Sequence, residues 1–170
     1  TRRSSDLARR LLVKVLAYRD VLKAARNPAI FGGEMDFPGR QEMEKHNPDA
    51  ARFNGIQEAY SKRTGKYIAI SSETQPILTE AEAVWGVEVV NLIEPLFKLG
   101  HEYTMCVYKY IRSIDPDLRH DSGVYLRLYN EVSDIHYDLS SEKDGPDDFT
   151  IRIDSVVDKI KACLGNKLIR

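Results

Sequence analysis

Apolar residues recur along this chain at steps of three and four, the repeat of one helix face. From Asp6 to Arg26 the run Leu7, Leu11, Val15, Tyr18, Leu22 and Ala25 predicts a first helix, with Ser4 and Ser5 as caps and Asn27-Pro28 as its stop. Val13, Ala17, Val21 and Ala24 form a second, smaller-residue stripe, so this helix is expected to bury two sides. Asp49 to Ser72 predicts a second helix with Phe53, Ile56, Tyr60, Thr64, Tyr67 and Ile68 on its face, Asn47 as cap and Pro48 in its first turn. The polar run Ser71 to Pro76 reads as a turn.

From Leu78 the stripe Ala81, Trp85, Val89, Leu92, Leu96, Leu99, Tyr103, Cys106, Tyr110 and Ile114 crosses Pro95 in phase. That continuity predicts one long third helix kinked at Pro95. Its length would be about 55 Å at 1.5 Å per residue. Ser122 to Leu139 predicts a fourth helix, and Phe149 to about Leu164 a fifth, stopped by Gly165-Asn166. Residues 140–148 read as an acidic surface loop. Residues 27–47 form a long connection rich in Gly and Pro turns, whose Ile30, Phe31, Met35 and Phe37 favour packing over a core. The expected architecture is all-α: an elongated up-and-down bundle of four to five helices in a single domain spanning 1–170.

Composition fits a folded chain, with 42% apolar and 30% charged residues. The net charge of -1 supplies no global field for nucleic acid. No apolar run is long enough to cross a bilayer. A chain that opens on Thr1 rather than Met is expected to be a fragment, or a processed or trimmed form. Cys106 and Cys163, the only cysteines, sit in helical patterns and form no CxxC; they read as buried free thiols in a reducing compartment, with a single disulfide between them as the alternative.

No motif names a chemistry. Metal-binding bundles place Glu-x-x-His on paired helices, and no such pair occurs; no metal or cofactor is expected. Glu131, Asp134 and Asp138 share a side and read as a solvated acidic face. Cys106 with His101 about one turn away is a weak thiol–imidazole candidate, on a stripe that reads as core. The glycine pairs follow no strand, so they do not make a phosphate loop. Tyr103, Tyr110, Tyr125 and Tyr129 could line a small-molecule pocket in the bundle, although buried rings with wet hydroxyls are the commoner use of such spacing.

Arg40 and His46 have five residues between them. That spacing resembles the Arg-x4-6-His motif of the HEPN ribonucleases, helical bundles of similar length. The resemblance covers these two positions and the fold class only. It implies an alternative function, RNA cleavage, with Arg40 on phosphate and His46 as general acid or base. The surrounding Pro38-Gly39 and Asn47-Pro48 depart from the family, which carries the motif within a helix.

Charge is unevenly laid out. Residues 1–28 hold Arg2, Arg3, Arg9, Arg10, Lys14, Arg19, Lys23 and Arg26 against Asp6 and Asp20, whereas residues 67–97 hold Glu73, Glu80, Glu82, Glu88 and Glu94 and no Lys or Arg. Pairing of the basic helix with the acidic stretch is one expectation. The other is that Arg2, Arg3, Arg9 and Arg10 contact an anionic membrane or a partner. The layout resembles the helical cytoplasmic tails of small membrane-tethered proteins. The function expected is therefore a non-catalytic helical interaction or scaffold domain, self-associating or docking to a protein. It would be cytoplasmic, at the inner face of a membrane, with nucleic acid disfavoured because the aromatics fall on core faces.

Overall fold

The computed structural model describes residues 2–118, 135 and 145–168. These residues are helical, with no strand among them. The helices are α1 (Arg2–Ala25), α2 (Arg40–His46), α3 (Pro48–Trp85), α4 (Glu88–Ser113) and α5 (Asp148–Leu168), with short 3-10 turns at Gly32–Met35 and Pro116–Leu118. The predicted fourth helix, Ser122 to Leu139, lies almost wholly outside the described residues.

α1 buries Leu7, Leu11, Val15, Tyr18, Leu22 and Ala25, the stripe read from the sequence. It already runs from Arg2, so Ser4 and Ser5 lie inside it, and the Ser5 hydroxyl donates to the Arg2 carbonyl at 3.0 Å. Of the second stripe only Val21 packs against this core. Val13 is 62% exposed; Ala24 is exposed and Ala17 and Val21 are only half-buried.

The middle of the chain departs most from the expected pattern. The expected turn at residues 71–76 is helix, and the expected single helix from Leu78 to Ile114 is broken at Gly86. The long helix is α3, about 57 Å at 1.5 Å per residue. Hydroxyls of its polar stretch are satisfied within the helix. Ser72, Thr74 and Thr79 each donate to the carbonyl four residues back, at 3.1, 2.6 and 3.1 Å, rather than competing with the helix for backbone groups. Pro76 sits within the helix. Gly86 adopts φ 82, a left-handed backbone that favours glycine, and its N–H closes α3 on the Glu82 carbonyl at 2.7 Å. Pro95 lies inside α4.

The buried face of α3 also turns along its length. Its first turns bury Ala51, Gly55 and Ala59, and its later turns Tyr60, Arg63, Tyr67, Thr74, Leu78 and Ala81. Gly55 lets Met35 approach, since a Cβ there would lie 3.0 Å from the Met35 methyl carbon. Of the expected face, Phe53, Ile56 and Thr64 are half-buried and Ile68 is exposed. In the connection before α3, Ile30, Met35 and Phe37 are half-buried, but Phe31 is 64% exposed.

α1 packs on α3 and α5, α3 on α4, and α4 on α5. Polar contacts give the directions. Arg10–Glu80 and Lys14–Glu73 make α1 and α3 antiparallel. Tyr60 against Tyr110 and Tyr67 against Tyr103 do the same for α3 and α4. One apolar cluster draws on α1, α3, α4 and α5. Tyr18 lies at its centre, edge-on to Tyr67 and Phe97 at 5.8 and 5.2 Å. Gly100 makes room for it, because a side chain there would overlap the Tyr18 hydroxyl. α5 continues through Gly165-Asn166 to Leu168, past its expected stop, and the β-branched start Thr150-Ile151 is helical.

Candidate functional site

Two buried arginines organise the end of the molecule where α1 stops. Arg63 on α3 is 5% exposed and uses all five of its N–H donors. Two go to the Glu34 carboxylate, both at 2.8 Å, and three to the carbonyls of Ala25, Asn27 and Ala29 at 3.3, 2.6 and 2.6 Å. A helix leaves its last carbonyls without intrahelical partners, so this guanidinium caps α1 and fastens the following loop. The Tyr103 hydroxyl donates to the same Ala25 carbonyl at 2.7 Å, and burial pushes that phenol well above its ordinary pKa. Glu34 also accepts from the Phe31 N–H at 3.0 Å. The Arg63 hydrogen bonds, helped by that backbone N–H, hold its carboxyl down to about 2.

Arg26, 1% exposed, is the second. Its guanidinium meets Asp147 at 2.6 and 3.1 Å, the Thr150 hydroxyl at 2.8 Å and the Ile135 carbonyl at 2.6 Å, with its charge 4.8 Å from the Phe149 ring centroid. Asp147 accepts in turn from the Thr150 N–H at 2.8 Å and so caps α5. The expected surface loop therefore ends on a buried acid. Neither arginine was singled out by sequence patterning. The Asp-x-x-Thr start before an apolar helical run was the one local signal, and it marks a cap rather than an ion pair.

The basic start of α1 lies at the opposite end. Arg2, Arg3, Arg9 and Arg10 are all exposed. Arg10 and Arg3 reach Glu80 at 3.0 and 3.8 Å, and Lys14 reaches Glu73 at 2.5 Å, so the expected pairing with the acidic stretch forms on α3. Arg2, Arg3, Asp6, Arg9, Arg10 and Glu80 surround an open hollow of about 520 Å³. Trp85, at the end of α3, donates its indole N–H to the Ser4 hydroxyl at 3.0 Å, and the Lys167 ammonium lies 4.8 Å from its ring centroid. The start of α1, the α3–α4 turn and the end of α5 thus share one end.

Arg40 and His46, expected in a long connection outside any stable helix, are instead the first and last residues of α2, because residues 40–46 form a short helix between Gly39 and Asn47. Six positions along a helix separate them by about 9 Å of rise and point them to different sides. Arg40 donates to the Gly32 carbonyl and pairs with Asp36 at 3.3 Å. His46 turns back on Glu42, whose carbonyl lies 3.2 Å from its Nδ1. The hollow beside Arg40 is lined by Asp36, Glu42, Glu44 and Lys45 and does not include His46.

Cys106 is buried and Cys163 half-buried, and the two do not form a disulfide with each other. His101 is exposed. Tyr103 is buried and Tyr110 half-buried; Tyr125 and Tyr129, with Glu131, Asp134 and Asp138, lie outside the described residues. Among the described residues no three His, Cys, Asp or Glu side chains gather as metal ligands, and no helix is long and apolar enough to cross a membrane. No family model, no curated protein and no solved structure matches the chain.

Proposed function

We propose that this chain is a non-catalytic helical interaction domain, built as a single elongated up-and-down bundle, that binds a protein partner or a second copy of itself. The observation that carries the reading is the contrast between its inside and its outside. The buried charged groups Arg26, Asp147 and Arg63, with half-buried Glu34, are engaged in capping helices and pinning a loop. Large apolar side chains meanwhile stand in solvent, among them Val84, Val87, Met105 and Tyr108 at 45–54% exposure. Association is the use that buries such groups.

The antiparallel neighbours α1, α3, α4 and α5 support the bundle reading, and the length of α3 supports its elongation. Pro95 cannot supply the N–H that would bond to the Asn91 carbonyl, so α4 is read as bent there. The exposed arginines at the start of α1 support a place close to a membrane on the cytoplasmic side.

Light scattering coupled to size exclusion, from micromolar to millimolar chain, tests this reading. A mass that rises with concentration is expected for self-association. A strict monomer throughout that also retains no partner in crosslinking from its native host would remove it.

A further inference from the structure

We propose that the end of the molecule built by the start of α1, the α3–α4 turn and the last turn of α5 docks on an anionic lipid surface. The inference goes beyond the protein contact proposed above and rests on that reading only where it places the start of α1 close to a membrane. Val84 and Val87 flank Gly86 in the turn and are 45% and 54% exposed. Trp85, between them, is held by Ser4 and covered by Lys167, so the turn is braced against both helix ends beside it. Val84 lies one helical turn beyond Glu80, and Glu80 binds Arg3 and Arg10. An aliphatic pair therefore projects from a stiff corner next to Arg2 and Arg3, with Lys167 alongside.

The chemistry of the corner chooses the occupant. Two exposed aliphatic side chains lie beside exposed arginines, which suits a surface that is apolar beneath an anionic layer. Among the described residues, the basic groups at this end are Arg2, Arg3, Arg9, Arg10 and Lys167, and the acidic ones Asp6, Glu80, Glu82 and Glu88. Glu80 is engaged by two arginines, whereas Arg2 and Arg9 have no ion pair within the described residues. The excess of positive charge is small, so attraction by charge alone is weak, and the valines must enter the interface for binding to hold. Both parts are required.

Sedimentation of the full chain with vesicles tests this, using phosphatidylcholine alone or mixed with phosphatidylglycerol. Trp85, the only tryptophan, gives a second readout through its emission. Binding to the mixed vesicles with a blue shift, weakened by salt and absent on neutral vesicles, is expected. V84D/V87D should weaken it at least about tenfold. R2E/R9E, whose positions carry no internal ion pair, should weaken it about tenfold or more. M105D/Y108D, on the outer face of α4, should bind as the parent does. Circular dichroism checks that each variant folds.

No binding at low salt overturns the proposal, as does binding that survives V84D/V87D, or equal binding to neutral vesicles. Salt-sensitive binding to polyglutamate without vesicle binding also overturns it, and points to an acidic protein instead. Light scattering without lipid reads self-association separately, so loss of the lipid contact leaves that result standing.

Discussion

Arg26 and Asp147 stand 121 positions apart in the chain and meet in a two-point ion pair, at 2.6 and 3.1 Å, buried where α1 ends and α5 begins. The acid serves both sides at once, since the oxygen that binds Arg26 also caps α5 through the Thr150 N–H. Two helices distant in sequence are thereby joined at one buried atom. Removing the acid would leave a buried guanidinium without its counter-charge, which costs more than the pair itself contributes.

D147A is accordingly expected to lower unfolding free energy by about 3–5 kcal/mol in urea titration. T150V, which deletes one neutral acceptor of Arg26 and keeps the backbone cap, should cost about 1 kcal/mol. Equal losses in the two variants would contradict the arrangement.

Glu34 links stability to acid. Its carboxyl is held near 2 in the folded chain against an ordinary 4.5, so the carboxylate is favoured by folding. The stabilisation is complete above about 4.5 and is lost as pH falls through about 2. E34Q should therefore lose about 1.5–3 kcal/mol at neutral pH. The gap between parent and variant should close between pH 4.5 and 2, as followed by thermal melts across that range. A gap independent of pH would show that Glu34 acts through packing alone.

Gly100 and Tyr18 should prove coupled. G100A places a methyl against the Tyr18 hydroxyl and is expected to cost about 1–3 kcal/mol. Y18F removes the overlapping oxygen, so G100A should cost less in that background. Additive losses in the double-mutant cycle would disprove the contact.

Continuity of α3 through Pro76 gives a fourth expectation. P76A restores a backbone donor inside a helix and should stabilise by about 1–3 kcal/mol. G86A, at φ 82, should destabilise by about 1 kcal/mol. The opposite signs would place the break at residues 71–76 after all.

The cysteines should separate in a thiol-reagent time course. Half-buried Cys163 is expected to react in the native protein, and buried Cys106 only as the chain opens. Two fast thiols would mean that α4 does not bury its stripe.

The sequence by itself determined the helical class, the face of α1 and part of the faces of α4 and α5, where Ile93, Val107, Val157 and Leu164 are buried beside the positions read. Leu7 to Ala25, Val89 to Cys106 and Phe149 to Ile160 keep helical spacing, and a stripe that is apolar has only the core to enter. Local pattern could not decide where α3 ends. Ser72, Thr74 and Pro76 carry the composition of a turn, but packing of Thr74 and Leu78 in the core and the Lys14–Glu73 pair hold them in helix. Trp85 and Val89 keep phase across Gly86, so periodicity concealed a reversal that depends on one left-handed residue. The faces of α3 were hidden for another reason: alanine and glycine bury against a neighbouring loop without an apolar signal. The roles of Arg26 and Arg63 were beyond sequence altogether. Each guanidinium is satisfied by groups on other elements, and only tertiary structure brings an acid or a row of free carbonyls to a charge that, read alone, belongs to the surface.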